Sequence, residues 1–393
     1  MIIKILTLLV MSVEIKRVAN RKDLDTFIQL HYDLYKGNPY DAPNLYSDEV
    51  ETLSRDKNSA FEFCEAEYFL ALRDGKVVGR VAAIINHRYN EQWNRPCVRF
   101  GWLDLIDDEE VMRALLTAVE DYGRQKGMKE IIGPLGFTDM DPEGMLTKGF
   151  EELGTMSTIY NYAYYPQLME RMEGYEKDND YVEYKIYVPK EGMPEKFRRV
   201  AELTMQRYNL HCPQLTREQV FGPEQYGKKV LHLVNQTFGH LYGYSQMTDK
   251  QIDEYVEKYF KFMSMDMICV IEDWNTPNHD VIGVGITIPS LTRALQKCRN
   301  GRLFPFGWWH LLRALKFHKT DIVDLLLIGV LPEYRPKGAN ALLFYHLIPV
   351  YQKYGFKWGE SHVHMETNTA VQQQWQYYEN EQHKRRRCYK KAL

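Results

Sequence analysis

The order of elements along the chain repeats. Residues 11–188 and 195–393 each read as helices, a hairpin, a strand, an amphipathic helix and a further strand. In the first stretch, Val13–Val18 alternates as a strand and Arg21–Tyr35 has helical spacing. Tyr68–Leu72 and Val77–Ile85 flank an Asp74-Gly75 hairpin signal. Val98–Leu105 follows as a strand, Glu109–Lys126 as a helix stopped by Gly127, and Glu130–Ile132 as a strand. In the second stretch, Met267–Glu272 and Val281–Ile288 form the strand pair, and Asp321–Val330 is an apolar run suited to burial on both faces. Asn340–Tyr354 is the matching helix, and Lys357–Met365 the strand after it. Strands alternating with helices require a sheet covered by helices, so the expected class is α/β (α+β), with two domains of mixed, mostly antiparallel sheet. Pro189–Pro194, with two prolines and a glycine in six residues, is the expected linker.

A length of 393 residues suits two domains. The formal charge of −3 argues against a dedicated nucleic-acid binder, which is normally basic. Cys64, Cys97, Cys212, Cys269, Cys298 and Cys388 are scattered, with no metal-type spacing. Reduced thiols in a cytoplasmic protein are therefore expected, and no metal. Met1–Val10 is apolar but too short to span a bilayer, and no convincing cleavage site follows. It reads as an upstream extension before a start at Met11.

The segment Leu325–Ala341, LLLIGVLPEYRPKGANA, carries the chemistry. A buried strand ends at Val330-Leu331-Pro332, a turn holds Arg335, Lys337 and Gly338, and a helix starts near Asn340. Such a corner aims backbone N–H groups and the positive end of the helix dipole at an anion. Two cations suit it to a diphosphate.

This segment resembles the coenzyme A-binding motif of the GNAT acyltransferase superfamily: a strand ending V-x-P-x-x-R, then R-x-x-G-x-G/A. Val330, Pro332, Arg335 and Gly338 are in register, and Asn340 stands where Gly or Ala is usual. The resemblance implies a tandem GNAT chain. Acetyl-coenzyme A or a longer acyl-coenzyme A would be held by Gly329, Val330, Leu331, Arg335, Lys337, Gly338, Ala339, Asn340 and Ala341. Asn368 would lie near the pantetheine arm, and a backbone N–H near Ile328–Val330 would serve the oxyanion. Trp375 occupies the place where many family members have a proton-donating tyrosine. After the first half's Gly101–Leu105 strand, Asp107-Asp108 stands in place of the diphosphate loop, which implies a lost coenzyme site there. The whole is also similar to bacterial acyltransferase-like proteins, including ones similar to bacterial ceramide synthases.

The reaction implied is direct acyl transfer to an amine, either a small molecule or a lipid amine, with a non-catalytic binding protein as the rival. Glu360, His362, His364 and Glu366 alternate in Glu360–Glu366 and share one face of an unbroken strand, where they would relay a proton. The same face suits a solvated edge, or a metal site for which no third His or Cys lies nearby. Gly301–Lys319 reads as a basic, aromatic amphipathic helix, suited to peripheral contact with the inner membrane face or to core packing. Gly133–Phe137, Asp139 and Asp141, with Tyr160, Tyr164 and Tyr165, read as a structural loop or an acceptor pocket between domains. Lys384–Arg387 with Lys390-Lys391 reads as a solvated basic tail.

Overall fold

A computed structural model describes residues 12–393. Met1–Val10, the upstream extension expected above, lies outside the described residues.

The strands are β1 (Glu14–Arg17), β2 (Cys64–Arg73), β3 (Lys76–Asn86), β4 (Cys97–Leu105), β5 (Glu130–Gly133), β6 (Met145–Lys148), β7 (Glu176–Tyr187), β8 (Leu210–His211), β9 (Ile268–Asp273), β10 (Asp280–Pro289), β11 (Ile322–Val330), β12 (Trp358–Ser361), β13 (His364–Met365) and β14 (Asn380–Ala392). They join one 14-stranded sheet in the order β1-β2-β3-β4-β5-β14-β7-β12-β11-β10-β9-β8. β6 pairs with β14, and β13 with β7. Pairing is antiparallel except at β4–β5 and β11–β12. Those two parallel pairs occupy equivalent places in the two halves.

Helices cover both faces. Glu109–Gln125 buries Val111, Met112, Leu115, Leu116 and Val119 against β3 and β4. Their three- and four-residue spacing makes one apolar stripe. Asn340–Tyr354 buries Leu343, Leu347 and Tyr351 against β9 to β12 in the same way. Gly127 and Gly355, both at φ 77°, terminate these helices in the left-handed conformation that glycine adopts freely. On the opposite face lie Arg21–Leu34 in the first half and Tyr226–Phe238 in the second.

The expected basic tail is instead an interior strand. β14 is 13 residues long and inserts between β5 and β7. Lys384 and Arg386 are each 1% exposed. Burial of these cations is possible because facing carboxylates neutralise them. Lys384 Nζ donates to Glu360 at 2.9 Å, and Arg386 Nε to Glu183 at 2.5 Å. On the other face, Asp180 accepts from Arg385 and Arg387. The last strand of the chain thereby completes the sheet of the first half, and β7 of the first half pairs with β12 and β13 of the second.

The strand expected over Lys357–Met365 is broken. β12 ends at Ser361, the chain leaves the sheet at His362 and Val363, and β13 resumes on β7.

A chain ending at Glu379 leaves β5 and β7 with open edges and Glu183 without its buried cations. We expect it to lose the cooperative unfolding transition of the first half as well as the second. Denaturant unfolding followed by hydrogen exchange at β4 and β5 checks this; persistent protection of these amides would contradict it.

Candidate active site

β11 is fully paired with β10 from Val323 to Val330 on one side, apart from a bulge near Leu326. On its other side it meets β12 only over Ile322–Leu325, closed by the His362 N–H to Leu325 O bond of 3.2 Å. Beyond this rung β12 turns away towards β7. Leu326–Val330 is then a free edge, and the two strands form an open V.

At the far end of the V, Arg335 Nε caps Val330 O at 2.8 Å. Pro332–Tyr334 makes one 3₁₀ turn. Gly338 sits at φ 83°, and Thr204 donates to Lys337 O at 3.1 Å from the covering helix Glu195–Tyr208. Lys337 Nζ lies 4.0 Å from the Tyr334 ring centroid. The amides of Gly338 and Ala339 close turns on Arg335 O and Tyr334 O. The helix Asn340–Tyr354 begins there with no side-chain cap. Val330, Ala339 and Ala341 are buried, while Gly329, Leu331 and Asn340 flank the corner. An exposed arginine, a lysine and an uncapped helix start fit a diphosphate.

Beneath the last paired rungs, an apolar slot of about 320 Å³ runs under Leu325 and Gly359. Phe344, Ile348, Trp375 and Tyr378 line it. Trp375 Nε1 and the Tyr378 hydroxyl are buried donors without a partner among the described residues. Trp375 is 1% exposed and packs edge-on against Phe344. Asn368 precedes the helix Thr369–Trp375 and ties back through its N–H to Met365 O at 2.9 Å.

The four ionisable residues read as one face are separated by the break at His362. Glu360 is buried and accepts from His383 Nε2 at 2.7 Å as well as from Lys384. Glu366 lies nearer the surface, paired with Arg385 and, at 3.3 Å, with Lys177. Desolvation pushes His364 down to about 3, with His362 adding to it, and lowers His362 too. Both imidazoles are therefore neutral at physiological pH. Glu183, paired with Arg386, is the acid nearest them in charge.

Sequence reasoning missed Asp324. It pairs across the parallel rung with Glu360, and neither of its carboxylate oxygens has a hydrogen-bond partner among the described residues. Burial first, and Glu360 second, push it up to about 7. The signal was a lone acid inside the apolar run Ile322–Val330.

The first half contains the same V. β4 and β5 are parallel only from Cys97 to Arg99, after which β4 continues to Leu105. The helix start that would face a diphosphate there is filled. Asp108 caps it by accepting from Val111 N at 3.2 Å and pairs with Arg73. A larger cavity, of about 850 Å³, opens beside Gly101–Asp104. Pro134, Leu135, Gly136, Tyr160 and Tyr165 of the loops singled out above stand in its wall. Asp139 and Asp141 of the same loop are half-buried and raised to about 7 and about 6, chiefly by desolvation.

Each half-sheet has a parallel pair that splays into a V and a helix following the longer strand, and the fold resembles that of solved tandem GNAT structures. The tandem GNAT protein from the clavulanic acid biosynthesis pathway superposes with a TM-score of 0.52 at 13% identity, over 97% of this chain and 98% of that one. A GCN5-related N-acetyltransferase from Sphaerobacter thermophilus gives 0.51 at 12% identity, over 97% and 95%. In sequence the chain is similar to Protein YghO of Escherichia coli (strain K12), 24% identical over 383 residues, 96% of this chain and 95% of that protein. It is also similar to the bacterial ceramide synthase of Caulobacter vibrioides, 22% identical over 389 residues and 96% of each. No protein-family model matches the chain.

Asp324→Asn tests the buried acid through stability. A carboxyl raised from its ordinary value to about 7 in the fold keeps a proton that the unfolded chain gives up. Wild type therefore loses stability from this group as pH rises from about 4 to about 7, at up to about 1.4 kcal/mol per pH unit. The variant escapes that loss. It should match wild type near pH 4 and exceed it by a few kcal/mol at pH 8 in denaturant unfolding. Parallel curves would refute the assignment.

Proposed function

We propose that the chain is an acyl-coenzyme A-dependent N-acyltransferase acting through the second half's V. The observation that carries this reading is the V itself, bordered by the Arg335–Asn340 corner and undercut by the slot with unpaired Trp375 and Tyr378 donors. Arg335, Lys337 and the start of Asn340–Tyr354 hold the diphosphate. The pantetheine arm runs into the V, past Asn368. An N–H of the Ile328–Val330 edge faces the thioester oxygen as it becomes an oxyanion.

The amine nitrogen attacks the thioester carbon, an amide forms, and the carbon–sulfur bond breaks. The nitrogen's proton goes to Asp324, whose raised affinity for protons suits a base near neutral pH. Burial sets most of that affinity, and Glu360 across the rung adds to it. His362 and His364 are neutral neighbours of the V rather than the base. Trp375 fills the core and has no acidic proton to give the thiolate.

A second reading concerns the acceptor. Phe304, Phe306 and Phe317 are 79%, 71% and 56% exposed, and Trp308 and Trp309 stand out of the helix Gly307–Phe317 beside Arg302, Arg313, Lys316 and Lys319. An exposed aromatic strip with cations suits an anionic bilayer surface, and so a lipid amine. Among the described residues no helix is long and apolar enough to cross a membrane.

Calorimetry with acetyl- and palmitoyl-coenzyme A tests the primary reading. Wild type should bind one of them, and Gly338→Asp should lose binding, because a carboxylate then faces the diphosphate. Binding of neither by wild type would overturn the reading. Asp324→Asn should still bind the coenzyme and lower kcat about 10² to 10⁴-fold.

Flotation with vesicles tests the lipid reading. Vesicles containing phosphatidylglycerol should carry the protein, pure phosphatidylcholine should not, and Phe304→Ser with Phe306→Ser should abolish the effect. No flotation of wild type leaves a soluble amine as the acceptor.

A further inference from the structure

The larger cavity lies in the half whose V has no diphosphate corner, and its charges do not balance. Asp41, Glu49 and Asp104 stand in its wall with two cations, His31 and Arg80. Arg80 is committed: Nε donates to Asp104 at 2.8 Å and an NH to Phe27 O at 2.9 Å. His31 bridges Asp104 at 3.1 Å and Asp41 at 3.4 Å. Burial opposes charge on its ring, yet these two carboxylates hold it up at about 10, so it is an imidazolium. Both cations are thus used by Asp41 and Asp104.

Glu49 is left over. It is 7% exposed and has no cationic partner among the described residues. Its two oxygens accept from Asn44 Nδ2 at 2.8 Å and from Trp102 Nε1 at 2.9 Å, both neutral donors. A buried carboxylate with only neutral donors favours a cation at its remaining lone pairs. Trp102 is itself held at φ 46°, which a bulky side chain seldom adopts, with its ring against Phe137. The rest of the wall is mainly apolar: Ile28, Leu103, Met145 and the face of Trp102.

The cavity also has a connection to the second half. Leu45, next to Asn44, and Met156, two residues before Thr158, pack in one cluster with Leu326 on the free edge of β11. The cavity wall itself comes from the first half alone, between Ile28 and Tyr165. Gly301, which opens the exposed aromatic segment, packs against the Tyr32 hydroxyl and the Asn44 carbonyl at the same end.

We propose that this cavity binds an organic ammonium with an apolar body, and that Glu49 is the group that recognises its charge. The proposal rests on the cavity alone and not on the acyltransferase reading.

The test is calorimetry on the full chain with octylamine and with octanoate, equal in length and opposite in charge. Octylamine should bind saturably and octanoate should not. Glu49→Gln should weaken octylamine at least about thirtyfold, as expected when one partner of a buried charge pair is removed. Ala42→Phe, which fills the cavity from its wall, should abolish it. Circular dichroism melts show whether each variant folds, and the comparison of the two ligands on wild type needs no variant. Equal or tighter binding of octanoate, or a folded Glu49→Gln with unchanged affinity, would overturn the proposal. Palmitoyl-coenzyme A titrated into the same samples separates the two readings. Coenzyme binding without amine binding sinks the cavity proposal and spares the acyltransferase. Amine binding without coenzyme binding does the reverse.

Discussion

The insertion of β14 between β5 and β7 holds the molecule together, and the insertion rests on buried ion pairs. A strand reading NEQHKRRRCYKKA is a poor candidate for the middle of a sheet. It fits because Glu183 and Asp180 wait on the neighbouring β7 and Glu360 on β12 beyond it. A buried pair adds little net stability over apolar residues of equal size, but removal of one partner costs about 3–5 kcal/mol. Such pairing fixes which strand enters and in what register. Lys384 and Arg386 match Glu360 and Glu183, and a slip by one residue would bury Arg385 and Arg387 away from Asp180.

That same strand brings the site's electrostatics with it. Glu360 is held by His383 and Lys384 of β14, and Asp324 lies beside Glu360 on β11. Burial first, and Glu360 second, raise the proton affinity of Asp324, and Lys384 of β14 works against them. The C-terminal strand thus tempers the acid–base character of the second half.

Much of the fold was legible as periodicity. The helices Glu109–Gln125 and Asn340–Tyr354 fall where helical spacing, and for the first the following Gly127, placed them. The parallel pairs and the continuous sheet were not legible, because strand pairing is a long-range choice that local pattern does not encode. The corner Val330–Ala341 was visible because a strand, a turn with glycine and cations, and a helix start follow one another locally. Asp324 was not, because the alternation in Glu360–Glu366 is a stronger local pattern than one acid in an apolar strand. Alternation assumes an unbroken strand, and the break at His362 ends it. The ion pair of Lys384 depends on Glu360, 24 positions earlier, and that of Arg386 on Glu183, 203 positions earlier, which no local reading of a basic tail can anticipate.

The two halves share one arrangement and differ in its charge. Both have the parallel pair that splays, and both place a helix after the longer strand. They differ in the few residues at that helix's start. Arg335, Lys337 and Gly338 leave one open and positive. Asp108, its cap bond to Val111 and its pairing with Arg73 close the other. A carboxylate on a helix start repels an anion there. The proposals above follow that difference: an anionic coenzyme at the open corner, and a cation in the cavity beside Gly101–Asp104, where Glu49 meets only neutral donors.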